Sequence, residues 1–185
     1  MRLLAVPGSL RSGSYNARLL RAATAALSPE VAVETWNGLA ILPPFDEDAE
    51  HDPPLPAVET ARSAIVRADA VLIATPEYNA SIPGPLKNAL DWASRPYATN
   101  VLRGKPVAVV GASPGLFGAV WAQADLRRVL AKIGADVLDT ELAVPQADTA
   151  FDEAGRLRDC ALGDALDDVV RELLDRVAAR STAAA

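Results

Sequence analysis

The sequence predicts an α/β fold, a parallel sheet covered by helices on both faces. Three observations carry this. Short apolar runs recur along the chain and alternate with amphipathic helical stripes. The central runs, Ala70 to Ala74 and Val107 to Gly111, show no polar alternation, as expected of strands buried on both faces. The loops after the first, third and fourth runs are rich in Gly, Pro, Ser and Asn, and in open parallel sheets such loops at the carboxyl ends of strands carry ligands.

Leu3 to Val6 is the first strand, halted at Pro7-Gly8, and Leu20, Ala23 and Leu27 mark the helix that follows. Val31 to Trp36 alternates as a strand nearer an edge, and Asn37-Gly38 closes it. Residues 41 to 56 are Pro-rich and acidic, too broken for regular structure and long for a connection. Val58, Ala61, Ile65 and Ala68 give a helix leading into the third strand, Ala70 to Ala74. Helix resumes near Pro85, a tolerated first-turn proline, and ends by Ser94, before Pro96. After the fourth strand, Val107 to Gly111, comes a glycine-rich loop at 112 to 118, then a helix with Leu126, Val129, Leu130 and Ile133 on one face, stopped by Gly134. Residues 135 to 144 supply a fifth strand, interrupted near Asp139-Thr140. The last helix carries Leu162, Leu166, Val169, Val170, Leu173, Leu174 and Val177 on one stripe, and residues 181 to 185 are expected to fray.

Five strands and five helices in this alternation suit a flavodoxin-like three-layer sandwich of strand order 2-1-3-4-5, in a single domain spanning 1 to 185 with no internal repeat or linker. In that order the loops after strands 1, 3 and 4 gather at the switch point. Composition narrows the function. A net charge of -6 without a Lys or Arg run argues against non-specific nucleic-acid binding. No window reaches the roughly 20 apolar residues of a membrane span, and Pro7-Gly8-Ser9 cuts the first apolar run too short for a secretory signal. One cysteine and one histidine leave no material for a disulfide framework, a zinc cluster or a Ser/His or Cys/His triad, and the chain reads as cytoplasmic. Cys160 is expected in the core and His51 in solvent.

The first loop, Gly8 to Asn16, has the glycine spacing of a P-loop but places Ser14 where its Lys belongs and Tyr15 where its hydroxyl residue belongs, which argues against nucleotide hydrolysis. Its hydroxyls, Arg11 and free amides at a helix start suit one phosphate monoester; alternatively Ser12, Ser14 and Asn16 cap the helix and Arg11 is solvated. The position after strand 1 favours phosphate. In the third-strand loop, Tyr78 and Asn79 could border a planar heterocycle, while Glu77 could equally be a helix cap or surface carboxylate. Ser113 and Gly115 could approach the same ligand from the fourth strand, or form a turn that needs glycine. Trp92 reads as a core or interface aromatic, Lys87, Asn88 and Asp91 as structural or subunit contacts, and Arg95 as either an anion contact or a helix-terminal charge.

Three stretches together resemble the NAD(P)H-dependent FMN reductases, flavodoxin-like flavoproteins that include quinone, chromate and azo-dye reductases. They are Gly-Ser-Leu-Arg-x-x-Ser-x-Asn at 8 to 16, Pro-Glu-Tyr-Asn-x-Ser-x-Pro-Gly-x-Leu-Lys-Asn-Ala-x-Asp-Trp-x-Ser-Arg at 76 to 95, and Gly-Ala-Ser-Pro-Gly at 111 to 115. The resemblance runs from the first strand to about Gln146, and its second stretch is the specific one. It implies a bound FMN whose phosphate is held by Ser9, Arg11, Ser14, Tyr15 and Asn16, whose ring is bordered by Pro76, Glu77, Tyr78 and Asn79, and whose site Ser113 closes. It also implies NAD(P)H as hydride donor, a small-molecule electron acceptor and a homodimer or homotetramer. No residue is then expected to act as a catalyst itself, because the flavin carries the hydride. Two rivals remain at this point: an FMN electron carrier that does not oxidise NAD(P)H, and a phosphate-ligand binding protein of the same fold without flavin.

Overall fold

The computed structural model describes residues 1–183. Five parallel strands form one sheet in the order β2-β1-β3-β4-β5. They are β1 (Arg2–Pro7), β2 (Ala32–Thr35), β3 (Ala70–Thr75), β4 (Pro106–Ala112) and β5 (Asp136–Val144). The helices are α1 (Tyr15–Thr24), α2 (Pro56–Arg67), α3 (Gly84–Ala93), α4 (Val120–Ile133) and α5 (Cys160–Ala183). This is the flavodoxin-like arrangement that the alternation of runs predicted.

Strand periodicity divides the core in two. Leu3 and Ala5 of β1, with Leu72 and Ala74 of β3, face α1 and α5 and pack against Leu19, Leu20, Leu166, Val169 and Leu173. Leu4 and Val6, with Val71 and Ile73, face the other way, toward Val58 of α2, Leu86 and Trp92 of α3, and Leu126 and Leu130 of α4. Because both faces are covered, every residue of β3 and β4 is buried. The edge strand β2 is exposed at all its positions, and its Glu34 pairs with Arg67 of α2. Short length and charge are the usual protection of such an edge.

The expected interruption of the fifth strand is a bulge within a continuous strand. Val107 pairs Val137 and Val109 pairs Glu141, so residues 138 to 140 stand opposite Ala108 alone. Helix α5 runs to Ala183, and residues 184 and 185 of the expected frayed tail lie outside the described residues. One expectation is corrected. Cys160 is exposed, not core, because the Asp159 carboxylate accepts from the amides of Ala161 and Leu162 and so sets the helix start there, leaving Cys160 in a first turn ahead of the apolar stripe.

The acidic proline-rich segment is pinned to α3. The Pro43 carbonyl accepts from Trp92 Nε1 at 2.9 Å and from Asn88 Nδ2 at 2.8 Å, and Asn88 Oδ1 accepts from the Phe45 amide. Phe45 meets the Trp92 ring edge-on. Arg95 lies over Phe45 and reaches Glu47 and Glu50. Trp92 and Asn88 are therefore structural, Lys87 pairs with Asp91 along the helix, and Arg95 answers the acidic loop of its own chain.

Candidate active site

At the carboxyl edge of the sheet the loops after β1, β3 and β4 enclose a cavity of about 200 Å3. Close backbone approach brings the first two together. Gly8 donates its amide to Ala74 O at 2.8 Å, and a Cβ there would stand 3.0 Å from that oxygen and from Leu86 Cδ2, so the position calls for glycine. From the first loop Ser9, Arg11, Ser14, Tyr15 and Asn16 line the cavity; from the second, Pro76, Glu77 and Tyr78; from the third, Ala112, Ser113 and Pro114.

The hydroxyls share one feature. Ser9 Oγ accepts from the Arg11 amide, Ser14 Oγ from the Ala17 amide, and Ser113 Oγ from the Gly115 amide. A serine that already accepts still has its O–H to give. Ser14 also takes the Arg18 amide on its carbonyl, which leaves the amides of Tyr15 and Asn16 as the first-turn donors of α1. Arg11 adds a guanidinium, lying over the Tyr15 ring at 4.7 Å and donating to Gly13 O. The cavity thus offers donors at its α1 end, which suits an acceptor-only group such as a phosphate, and the Pro76 and Tyr78 surfaces at the other. The donor set fits a phosphorylated planar cofactor such as FMN.

Residues 1–149 match the family model for NADPH-dependent FMN reductase. The chain belongs to that family. An NAD(P)H-dependent FMN reductase of Pseudomonas aeruginosa is 42% identical over 177 residues, 95% of this chain and 90% of the relative. A quinone reductase of Pseudomonas putida is 39% identical over 155 residues, 83% of each. Among solved structures, the flavoenzyme FerB of Paracoccus denitrificans, an NAD(P)H:(acceptor) oxidoreductase, superposes with a TM-score of 0.84 at 35% identity and covers 95% of this chain and 96% of its own.

Within this FMN reductase framework the expected site residues have different jobs. Asn16 is buried, and its amide spans to β4: Nδ2 donates to Ala112 O and Oδ1 accepts from Ala112 N, both at 2.9 Å. It holds two loops in register. Glu77 Oε2 accepts from the amides of Trp121 and Ala122 at 3.1 and 3.2 Å, capping α4 from a loop more than forty residues away. The position before α4 is Ala119, in the left-handed region with no side chain able to cap, and Glu77 fills that role. The helix-cap alternative for Glu77 is therefore what its side chain does, although it also borders the cavity.

Asn79 is not in the cavity wall. Tyr78 and Ser81 exchange backbone hydrogen bonds around Asn79 and Ala80, both at positive φ, as in a type I′ turn. Asn79 suits its place there, and the turn carries Tyr78 to the cavity lip. Ser81 donates to Asp125 of α4 at 2.7 Å. That bond, followed by Arg128, holds the Asp125 carboxyl below its ordinary value, so the clasp is ionised at neutral pH. In the fourth-strand loop Gly118 packs on the backbone of β5, where a Cβ would stand only 2.6 Å from Ala143 C, and its carbonyl accepts from Gln123 Nε2. Ala112 and Pro114 are wall residues that residue type alone did not single out. The exposed end of Leu116, Phe117 and Trp121, the last two in edge contact, lies on this same loop and the start of α4.

Proposed function

We propose that this protein binds FMN in the three-loop cavity and uses NAD(P)H to reduce a small acceptor such as a quinone, flavin, chromate or azo compound. The observation that carries the reading is the set of spare hydroxyl and amide donors at the α1 end of a cavity that lies wholly within the residues matched by the family model. Bound FMN would supply the two-electron chemistry that links NAD(P)H oxidation to reduction of the acceptor. The chain's own residues bind, orient and exclude water. Ser9, Ser14, Arg11 and the Tyr15 and Asn16 amides hold the phosphate; Pro76, Tyr78 and Ser113 border the ring; Asn16 and Glu77 fix the loops that carry them.

One domain suffices for this, and we place it in the cytoplasm, where a single unpaired cysteine and a pyridine-nucleotide donor both fit. Among the described residues no helix is long and apolar enough to cross a membrane. The exposed Leu116, Phe117 and Trp121 supply apolar surface for a homodimer or homotetramer. The visible spectrum tests the reading. Purified protein should be yellow, or become so with FMN, and should bleach on anaerobic addition of NADPH. A flavin band that NADPH leaves unchanged would reduce it to an electron carrier, and failure to take up FMN would sink it. Arg11→Ala should weaken FMN retention by about 1–3 kcal/mol, as loss of a charge-assisted phosphate contact does, measured by fluorescence titration of the apoprotein. Unchanged affinity would leave the phosphate to hydroxyls and amides alone.

A further inference from the structure

A second cavity, of about 340 Å3, lies on the other side of the first loop. It is formed where α1 and the loop after β1 face the segment after β2, and it shares Ser9 and Arg11 with the cofactor cavity. Arg21 of α1 and Asn37 stand in its wall together with the Ser12 hydroxyl and the exposed Leu10 side chain. Among the described residues no carboxylate lines it, in a chain whose net charge is -6.

The two guanidiniums differ. Arg11 is engaged by the Gly13 carbonyl and the Tyr15 ring. The Arg21 guanidinium has no carboxylate, carbonyl or ring partner among the described residues. Most arginines of this chain have found one, including Arg67, Arg95, Arg127 and Arg176. A cationic hollow with an uncommitted guanidinium, two hydroxyls, an amide side chain and an apolar wall is matched by a phosphorylated nucleoside, its phosphate at Arg21 and its base or ribose against Leu10.

We propose that this cavity takes the adenosine phosphate portion of the NAD(P)H substrate, with Arg21 as its phosphate anchor. The assignment rests on the flavin reading above, since it assumes that the neighbouring cavity is filled by FMN. Sharing Ser9 and Arg11, the two sites would set the adenosine phosphate end of the donor beside the phosphate end of the cofactor.

The test is calorimetric titration of the FMN-loaded protein with adenosine 2′,5′-bisphosphate, with ADP and with inorganic phosphate. At least one adenosine phosphate should bind, and Arg21→Ala should weaken it tenfold or more while FMN content stays the same. In steady-state assays the same change should raise KM for the dinucleotide by a similar factor with kcat within twofold. Arg21→Lys should recover part of the affinity. Tighter binding of the bisphosphate than of ADP would seat the 2′-phosphate at Arg21, and the reverse would seat the diphosphate; either sustains the site. Equal affinities in the parent and Arg21→Ala would overturn it, as would inorganic phosphate competing as well as the adenosine phosphates. A protein that never takes up FMN would instead overturn the flavin reading, and the same titration on the apoprotein would still report on the second cavity.

Discussion

Asn16→Ala is expected to destabilise the protein by about 2–4 kcal/mol, because it leaves a buried amide and a buried carbonyl of Ala112 without partners at once. The residue joins α1 to the last position of β4 across the floor of the cavity, so the loss should be felt twice. Chemical denaturation should show a lower midpoint with an unchanged slope, and FMN affinity should fall even though the substituted side chain need not touch the cofactor. Asn16→Asp separates the two bonds. It keeps an acceptor for the Ala112 amide but sets a carboxylate against the Ala112 carbonyl, and it should be no more stable than Asn16→Ala. A stability loss under about 0.5 kcal/mol for Asn16→Ala would mean that water from the cavity replaces both bonds without cost.

Trp92→Ala should be the larger lesion, about 3–5 kcal/mol for a large buried aromatic. Its ring fills the face between α3 and the sheet, and its indole N–H holds the Pro43 carbonyl. Trp92→Phe isolates the hydrogen bond and should cost closer to 1 kcal/mol. The two variants should also differ in protease sensitivity of residues 41 to 56. Without Trp92 the Phe45 ring loses its edge contact and the Pro43 carbonyl keeps only Asn88, so cleavage should rise sharply. Equal cleavage in both variants would show that Asn88 and Arg95 hold the segment alone.

The elements that could be read from sequence are those whose environment is uniform. β3 and β4 are buried along their whole length, so Ala70 to Ala74 and Val107 to Gly111 are unbroken apolar runs, and the stripe of α5 follows from its single buried face. The three loops were legible because turns and close approaches demand particular residues, as Gly8 against Ala74 shows. What could not be read is which partner each polar side chain takes. Asn16 reaches a residue 96 positions away, and Glu77 reaches one 44 away. Both have the residue type expected of a ligand contact and are committed instead to holding loops together. A signal for Glu77 did exist: Gly118-Ala119 provides no cap for the helix that follows, so a carboxylate from elsewhere was needed. Cys160 shows the opposite limit. Its type suits a core, but its place in the helix is set by Asp159, one residue earlier. Arg21 sits in an ordinary amphipathic helix, and only the packing of the segment after β2 turns its position into a wall of a cavity.

The cap on α4 also bears on which way round a ligand can enter. Helices α1 and α4 both begin at this edge of the sheet, and each presents the positive end of its dipole. That of α4 is already met by the Glu77 carboxylate, a charge belonging to the chain itself. That of α1 is met only by the neutral Ser14, with no acidic residue in its first turn and Arg11 beside it. The cavity is therefore polarised along its length, cationic at one end and electrically quenched at the other. A molecule with an anion at one end and an uncharged plane at the other would find matching ends in a single orientation, and the reversed pose would set its charge beside Glu77.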